Sequence, residues 1–389
     1  MLTILLTLIF TRPFISSLAF PCANAAHVTL LLGFILIWIL RKHLSVNVIR
    51  PIQYPLLLLV LAIAISTVFA QDKIAAAKEL YIYIQGIFLL IIAASLSPIE
   101  KNRIIACMVI SAFVISLLAI YQYLFGFRYL LSFVAKKGIT DTFVLDYIGR
   151  GRSFLPFVTP NTLAGYLAMM IPLFFIYKNK FLLMIPLFLA LLMTKSLGAL
   201  ASLFLGLSIY FYLQKGPKKR NIIFLIMLSI IIGFVLLARL GPQLHTHPLF
   251  SATMRLRYWQ DTLGVIKIHP LTGVGPGNFN LIYSRYAHNS FLQIWAEMGI
   301  LGIIAVLWLA FIVISYGLQN LKNDAYKSSI IALICANSIF LIHNLVDFTF
   351  FLPEINLIWW AVLGILAFTL PSHSQNSKKS FENNLHVEL

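Results

Sequence analysis

His288-Asn289 opens an apolar run that continues through Glu297-Met298-Gly299-Ile300-Leu301-Gly302. A neutral imidazole can take a proton from a hydroxyl, so His288 is a candidate general base. Upstream stand Arg255, Arg257 and Trp259, and before them Arg150 and Arg152 in Gly149-Arg150-Gly151-Arg152-Ser153-Phe154. The guanidinium fork grips oxyanions bidentately, so these arginines suit a polyanion such as pyrophosphate. Arginines and a helix N-terminus near His288 both lower its pKa and favour the neutral form. In a helix stepping ~100° per residue, His288, Trp295, Gly299 and Gly302 share one face, and Asn289, Gln293 and Glu297 form a polar stripe beside it. Glu297 is a competing base, but on a continuous helix it points about 180° from His288, so the two do not act as a pair. The glycines read as close-packing positions, and the polar stripe as one facing another helix.

Other constellations carry weaker signals. Thr159 or Asn161 can cap a helix with Pro160 in its first turn. That helix start and the arginines at 150 and 152 together make an anion site, unless they are a solvated pair before an ordinary capped span. Arg255 and Trp259 lie four apart, on one face if helical. The run His269-Pro270-Leu271-Thr272-Gly273-Val274-Gly275-Pro276-Gly277 has G-x-G-x-G spacing, not the G-x-G-x-x-G of a dinucleotide loop, and reads as a tight turn with close backbone approach. Asp347 and Glu354 bracket a short loop after His343-Asn344 and read as an interfacial polar cluster. With no Asp-x-Asp and scattered carboxylates, no metal site is expected, and arginine is left to hold the anion. Lys195 is a functional candidate if it lies within a membrane span, and a loop residue if 181–213 is two helices. Arg12 is open to the same two readings, a functional charge within a span or a residue snorkelling to an interface.

The positions of these residues are set by the apolar runs between them. The chain of 389 residues is 60% hydrophobic and 11% charged, with mean hydropathy +0.92. A soluble domain cannot hide so much apolar surface, so the class is an all-α polytopic membrane protein. Apolar runs at 2–20, 27–40, 52–70, 79–97, 104–125, 159–177, 181–195, 197–213, 221–238, 290–318, 329–346 and 355–370 make about twelve spans in one membrane domain, 1–370, followed by a polar, disordered tail, 371–389. The first span is read as uncleaved, because no basic residue precedes it. Lysine and arginine at 41, 42, 50, 101, 103, 178, 180, 215, 218–220, 322 and 327 then share one side, the cytoplasm, with both termini. The opposite side carries the long segments 126–158 and 239–289, basic despite the positive-inside rule. They meet either anionic membrane lipid or a polyanionic ligand. The net charge of +17 is thus mainly topological and does not call for nucleic acid. Cys22, Cys107 and Cys335 lie far apart and read as small buried hydrophobes.

His288-Asn289, nine residues, then Gly299-Ile300-Leu301-Gly302 resembles the signature of the bacterial O-antigen ligase family. Arg255-x-x-x-Trp259, the 269–277 run, Arg150…Phe154…Pro160-Asn161-Thr162-Leu163-Ala164 and the span layout resemble its flanking elements, so the likeness covers about 140–365. The resemblance implies a GT-C-like membrane glycosyltransferase without cofactor or metal. It would move a glycan from undecaprenyl pyrophosphate to lipid A–core, by inverting transfer at the periplasmic face of the inner membrane. His288 would activate the acceptor, and Arg255 with Arg150 or Arg152 would hold the donor pyrophosphate. Asn289, Trp259, Arg257, Glu297 and Asn161 would support them. The family often has Thr-x-Ser-Arg-Gly where this chain reads Thr194-Lys195-Ser196-Leu197-Gly198, so Lys195 stands near a missing arginine. The nearest alternative is an O-antigen polymerase with a lipid-linked acceptor. Polymerases can carry Arg-x10-Gly in their outer loops, and neither outer loop here has it. A lipid-linked-sugar transporter is disfavoured, because the charges gather at one face rather than along a path.

Overall fold

The computed structural model describes residues 1–41, 50–138, 142–177, 180–214, 219–240, 250–322 and 326–367. Lys42, Lys178, Lys215, Lys218 and the polar tail lie outside these. Among the described residues all regular structure is helical: α1 (Leu2–Thr11), α2 (Pro21–Arg41), α3 (Gln53–Phe69), α4 (Lys73–Ser95), α5 (Pro98–Tyr121), α6 (Phe127–Lys137), α7 (Thr142–Gly149), α8 (Pro160–Phe174), α9 (Lys180–Thr194), α10 (Leu197–Leu213), α11 (Lys219–Leu240), α12 (Phe250–Ile268), α13 (Ser290–Gln319), α14 (Lys327–His343) and α15 (Pro353–Ala367). Each apolar run of the sequence contributes a helix. By length and composition, five stretches of described helix are fit to cross a membrane: Pro21–Arg41, Arg50–Phe69, Lys73–Ser95, Pro98–Lys136 and Ser290–Lys322. The chain is a multi-pass membrane protein.

Local chemistry fixes where helices start. Asp72 caps α4 by accepting from the backbone N–H of Ile74 and Ala75, and Ser97 with Glu100 forms a capping box on α5. Thr159 caps α8 with Pro160 in its first turn. The 181–213 region is two helices. Lys195 takes a left-handed φ of +52° between them, which makes it a junction residue.

Burial sorts the helices into centre and rim. Every residue of α15 is buried, and α8 is nearly so, while Ile222, Ile226, Ile230 and Phe234 of α11 stay exposed, as apolar residues facing lipid do. α15 packs chiefly on α4, where a Cβ at Gly364 would lie 2.3 Å from the Leu90 carbonyl oxygen. Such close approach is how small residues seat membrane helices. Arg12 does not snorkel. It is buried, donates to Asn24 Oδ1 at 2.8 Å and lies 3.5 Å from Glu354 Oε2, so a buried ion pair ties the end of α1 to the start of α15. Burial rather than an interface suits it, because the carboxylate is there to compensate the charge.

The inter-element contacts gather many connections at one end of the bundle. Besides Arg12–Glu354, Asn278 Oδ1 accepts from Asp72 N, Ser290 N donates to the carbonyl oxygens of Asn344 and Asp347, and Ser153 N donates to Met193 O.

Candidate functional site

The helix opened by Asn289 differs from the expectation at both ends of its first part. Asn289 is the N-cap, its Oδ1 accepting from Phe291 N at 3.1 Å and Leu292 N at 3.2 Å. His288 therefore precedes the helix, with a left-handed φ of +52°, and shares no helical face with Trp295. Gly299 breaks the helix with φ +67° and ψ −173°. The freed carbonyls of Ala296 and Glu297 accept from Val274 N and Gly275 N, each at 2.9 Å, and Ile300 N donates to Pro270 O at 3.0 Å. The 269–277 loop thus replaces the lost helical bonds, which is what makes a broken helix tolerable where water cannot reach. The approach leaves no room for a side chain, since a Cβ at Gly299 would lie 1.9 Å from Leu271 O. The polar stripe faces this loop region and, across a shared pocket, Glu79, Ile82 and Tyr83 of α4. Gln293 accepts from Ala287 N at 3.1 Å and donates to Glu297 Oε1 at 2.9 Å, while Gly277 N reaches Glu297 Oε2 at 3.4 Å.

His288 is held by aromatic rings. Tyr258 of α12 stacks on it at 5.6 Å and 19°, and Phe348 meets it edge-on at 4.8 Å. Trp259 Nε1 donates to its carbonyl oxygen at 3.4 Å. Burial pulls the imidazole down to about 4, with Asp347 opposing and Arg255 assisting, so it is neutral at physiological pH. Burial pushes the Asp347 carboxyl up, but His343, with Nε2 3.4 Å from Oδ2, together with His288 and Arg255 outweighs it and leaves the carboxyl below its usual value. His288 Nδ1 and Arg255 Nε are both buried with no hydrogen-bond partner among the described residues. Both atoms are thus open to hydrogen-bond with a bound group or water.

A second cationic group lies across α8, α9 and α10. Buried Arg152 donates from Nε to Thr194 O at 2.8 Å and from Nη2 to Asn161 Oδ1 at 3.0 Å. The Lys195 ammonium donates to the Arg150 carbonyl oxygen at 2.5 Å. The Arg150 guanidinium instead pairs with Asp146 at 2.7 Å and is partly exposed. Arg257 is exposed, its guanidinium over the Tyr283 ring at 4.6 Å. The two groups approach through α10 and α14, where a Cβ at Gly198 would lie 3.0 Å from Val346 and 3.9 Å from His343 Nδ1.

The structure therefore brings Arg255, Trp259 and His288 together, and separately Arg152, Asn161 and Lys195. Asp347 joins the first group rather than a mere interfacial cluster. The sequence signal for it was its spacing four after His343, at a helix end. Tyr258 carried no signal beyond its place beside Trp259. Among the described residues no three His, Cys, Asp or Glu side chains are arranged to hold a metal ion.

The segment spanning most of these residues is recognisable. Residues 181–307 match the family model described as O-antigen ligase. Over this segment the chain is similar to the O-antigen ligase family. It takes in Lys195, Arg255, Trp259, His288 and Gly299, and points to a ligase- or polymerase-like membrane enzyme. No curated protein matches the chain.

Proposed function

We propose that the chain transfers a glycan from undecaprenyl pyrophosphate to lipid A–core at the periplasmic face of the bacterial inner membrane. The reading includes twelve crossings, a GT-C-like architecture and a metal-independent reaction. It takes 126–158 and 239–289 as periplasmic segments of one integral membrane domain. The observation that carries it is the pairing of neutral His288 with Arg255 beside it, each with an orphaned polar atom, within the matched segment.

In this scheme His288 removes the proton of an acceptor sugar hydroxyl. The oxygen forms a bond to the anomeric carbon as the bond from that carbon to the pyrophosphate oxygen breaks, inverting the centre. The proton rests on the imidazole, and Asp347 stabilises the imidazolium. The leaving pyrophosphate is met by Arg255 and by Arg152 and Lys195 at the starts of α8 and α10, whose dipoles favour anions. Arg150 contributes when its guanidinium leaves Asp146. Trp259, Asn161 and Asn289 orient these groups, and Arg257 and Glu297 stand outside the reacting atoms. The test is transfer by purified protein between extracted lipid substrates with EDTA present. Retained transfer fits the scheme, and loss of transfer with EDTA overturns its metal independence.

A further inference from the structure

Arg152 opens an irregular stretch, residues 152–155, whose backbone N–H groups find partners in other elements. Arg152 N donates to Tyr147 O of α7 at 2.9 Å, and Ser153 N to Met193 O of α9 at 3.1 Å. The next two, Phe154 N and Leu155 N, both donate to one atom, Gln122 Oε1, at 2.8 and 2.9 Å. Ser153 Oγ adds a bond to Ala119 O of α5 at 3.0 Å. Away from a regular ladder, N–H groups in a protein interior need such partners. Gln122 is buried, 0% exposed, and opens a π-helical turn, Gln122–Gly126, between α5 and α6. Turns of this kind are frequent at functional sites. A Cβ at Gly126 would lie 3.3 Å from Gln122 Cγ, so glycine leaves that side chain its room. Gln122 Nε2 has no hydrogen-bond partner among the described residues, so the carboxamide works through its oxygen.

We propose that Gln122 is a positioning residue for Arg152, a proposal that rests on the reading of Arg152 as a contact of the donor pyrophosphate. The backbone of Arg152 is held by α7 at its own N–H and by Gln122 two residues further on. From that anchorage its guanidinium reaches Thr194 O and Asn161 Oδ1, with its centre 5.4 Å from the Tyr147 ring. A fork fixed before the anion arrives loses less freedom on binding it. Without the Gln122 oxygen, two N–H groups lose their acceptor and the stretch that carries Arg152 shifts. The effect falls on the donor, because His288 is held separately, by Tyr258 and Phe348.

The test is a double-mutant cycle in the full-length protein, with the extracted lipid-linked glycan as donor and extracted lipid A–core as acceptor. Gln122→Met keeps the length of the side chain and drops the oxygen. It should raise donor KM about tenfold and leave acceptor KM within about twofold. KM does not depend on the fraction folded, so a merely structural glutamine would lower the unfolding midpoint and leave donor KM unchanged. Gln122→Glu still accepts from both N–H groups and should hold donor KM within about threefold of wild type. Since Gln122 acts through Arg152, adding Gln122→Met to Arg152→Ala should raise donor KM no more than about twofold over Arg152→Ala alone. If either loss variant does not fold, Gln122→Asn, whose oxygen is withdrawn, or Arg152→Lys takes its place in the cycle. Unchanged donor KM in Gln122→Met, no recovery in Gln122→Glu, or effects that multiply in the double variant overturn the positioning role. If Arg152→Ala still raises donor KM beside any of these, only that role falls. If Arg152→Ala leaves donor KM unchanged, or the wild-type protein transfers nothing, the reading of Arg152 falls with it.

Discussion

The imidazole of His288 stacks on the phenol ring of Tyr258 at 5.6 Å and 19°. One face of the base is thereby fixed by α12, the helix that also carries Arg255 and Trp259. Stacked rings contribute about 0.5–1.5 kcal/mol beyond their burial, and here that energy orients the imidazole that serves as base in the proposed reaction. Tyr258→Phe keeps the ring and is expected to stay within about twofold of wild-type turnover. Tyr258→Ala is expected to lose about tenfold in kcat, read in single-turnover transfer.

The pH dependence follows from His288. Its pKa is about 4 in the folded protein, below the usual ~6.5 of an unfolded chain. The base is therefore neutral down to about pH 4, and kcat/KM should show no acid limb near pH 6.5. The unfolded chain binds this proton first. The stability the group contributes is thus fully present above about pH 6.5 and is lost as pH falls toward 4. Asp347→Asn removes the charge that raises the pKa and should move any acid limb lower still. Rate profiles for both proteins decide this.

Lys195 lies two residues before Leu197, the position at which the O-antigen ligase resemblance has an arginine, and its ammonium reaches the Arg150 carbonyl at 2.5 Å. Lys195→Ala should raise donor KM by about tenfold, while Lys195→Arg should restore it to within about threefold, since either cation can meet a phosphate at a helix start. Donor titration at saturating acceptor measures both.

Gly299→Ala places a Cβ against Leu271 O at 1.9 Å on a backbone with φ +67°. Strain and the clash together should cost about 2–4 kcal/mol, seen as a lowered unfolding midpoint in detergent. Gly233→Ala is the control. It lies in α11, its Cβ would meet nothing within 4 Å, and alanine favours helix, so the midpoint should hold or rise slightly.

The helices were largely legible because membrane spans announce themselves by length and hydropathy, and a cap such as Thr159 is local. The arginines and His288 were legible by type. What was not legible came from backbone breaks and distant partners. A period of 3.6 residues cannot reveal that Gly299 interrupts a helix, or that the 269–277 loop fills the gap. Arg12 reads as a functional charge or a snorkelling residue until Glu354, distant in sequence, is seen beside it.

Transfer by the His288→Ala variant tests the central claim most directly. Purified variant and wild-type proteins are given the same donor lipid and lipid A–core, and the glycosylated product is quantified. A proton acceptor at the reacting hydroxyl predicts a loss of at least about 100-fold in kcat with donor KM little changed. Wild-type turnover in that variant would contradict the account.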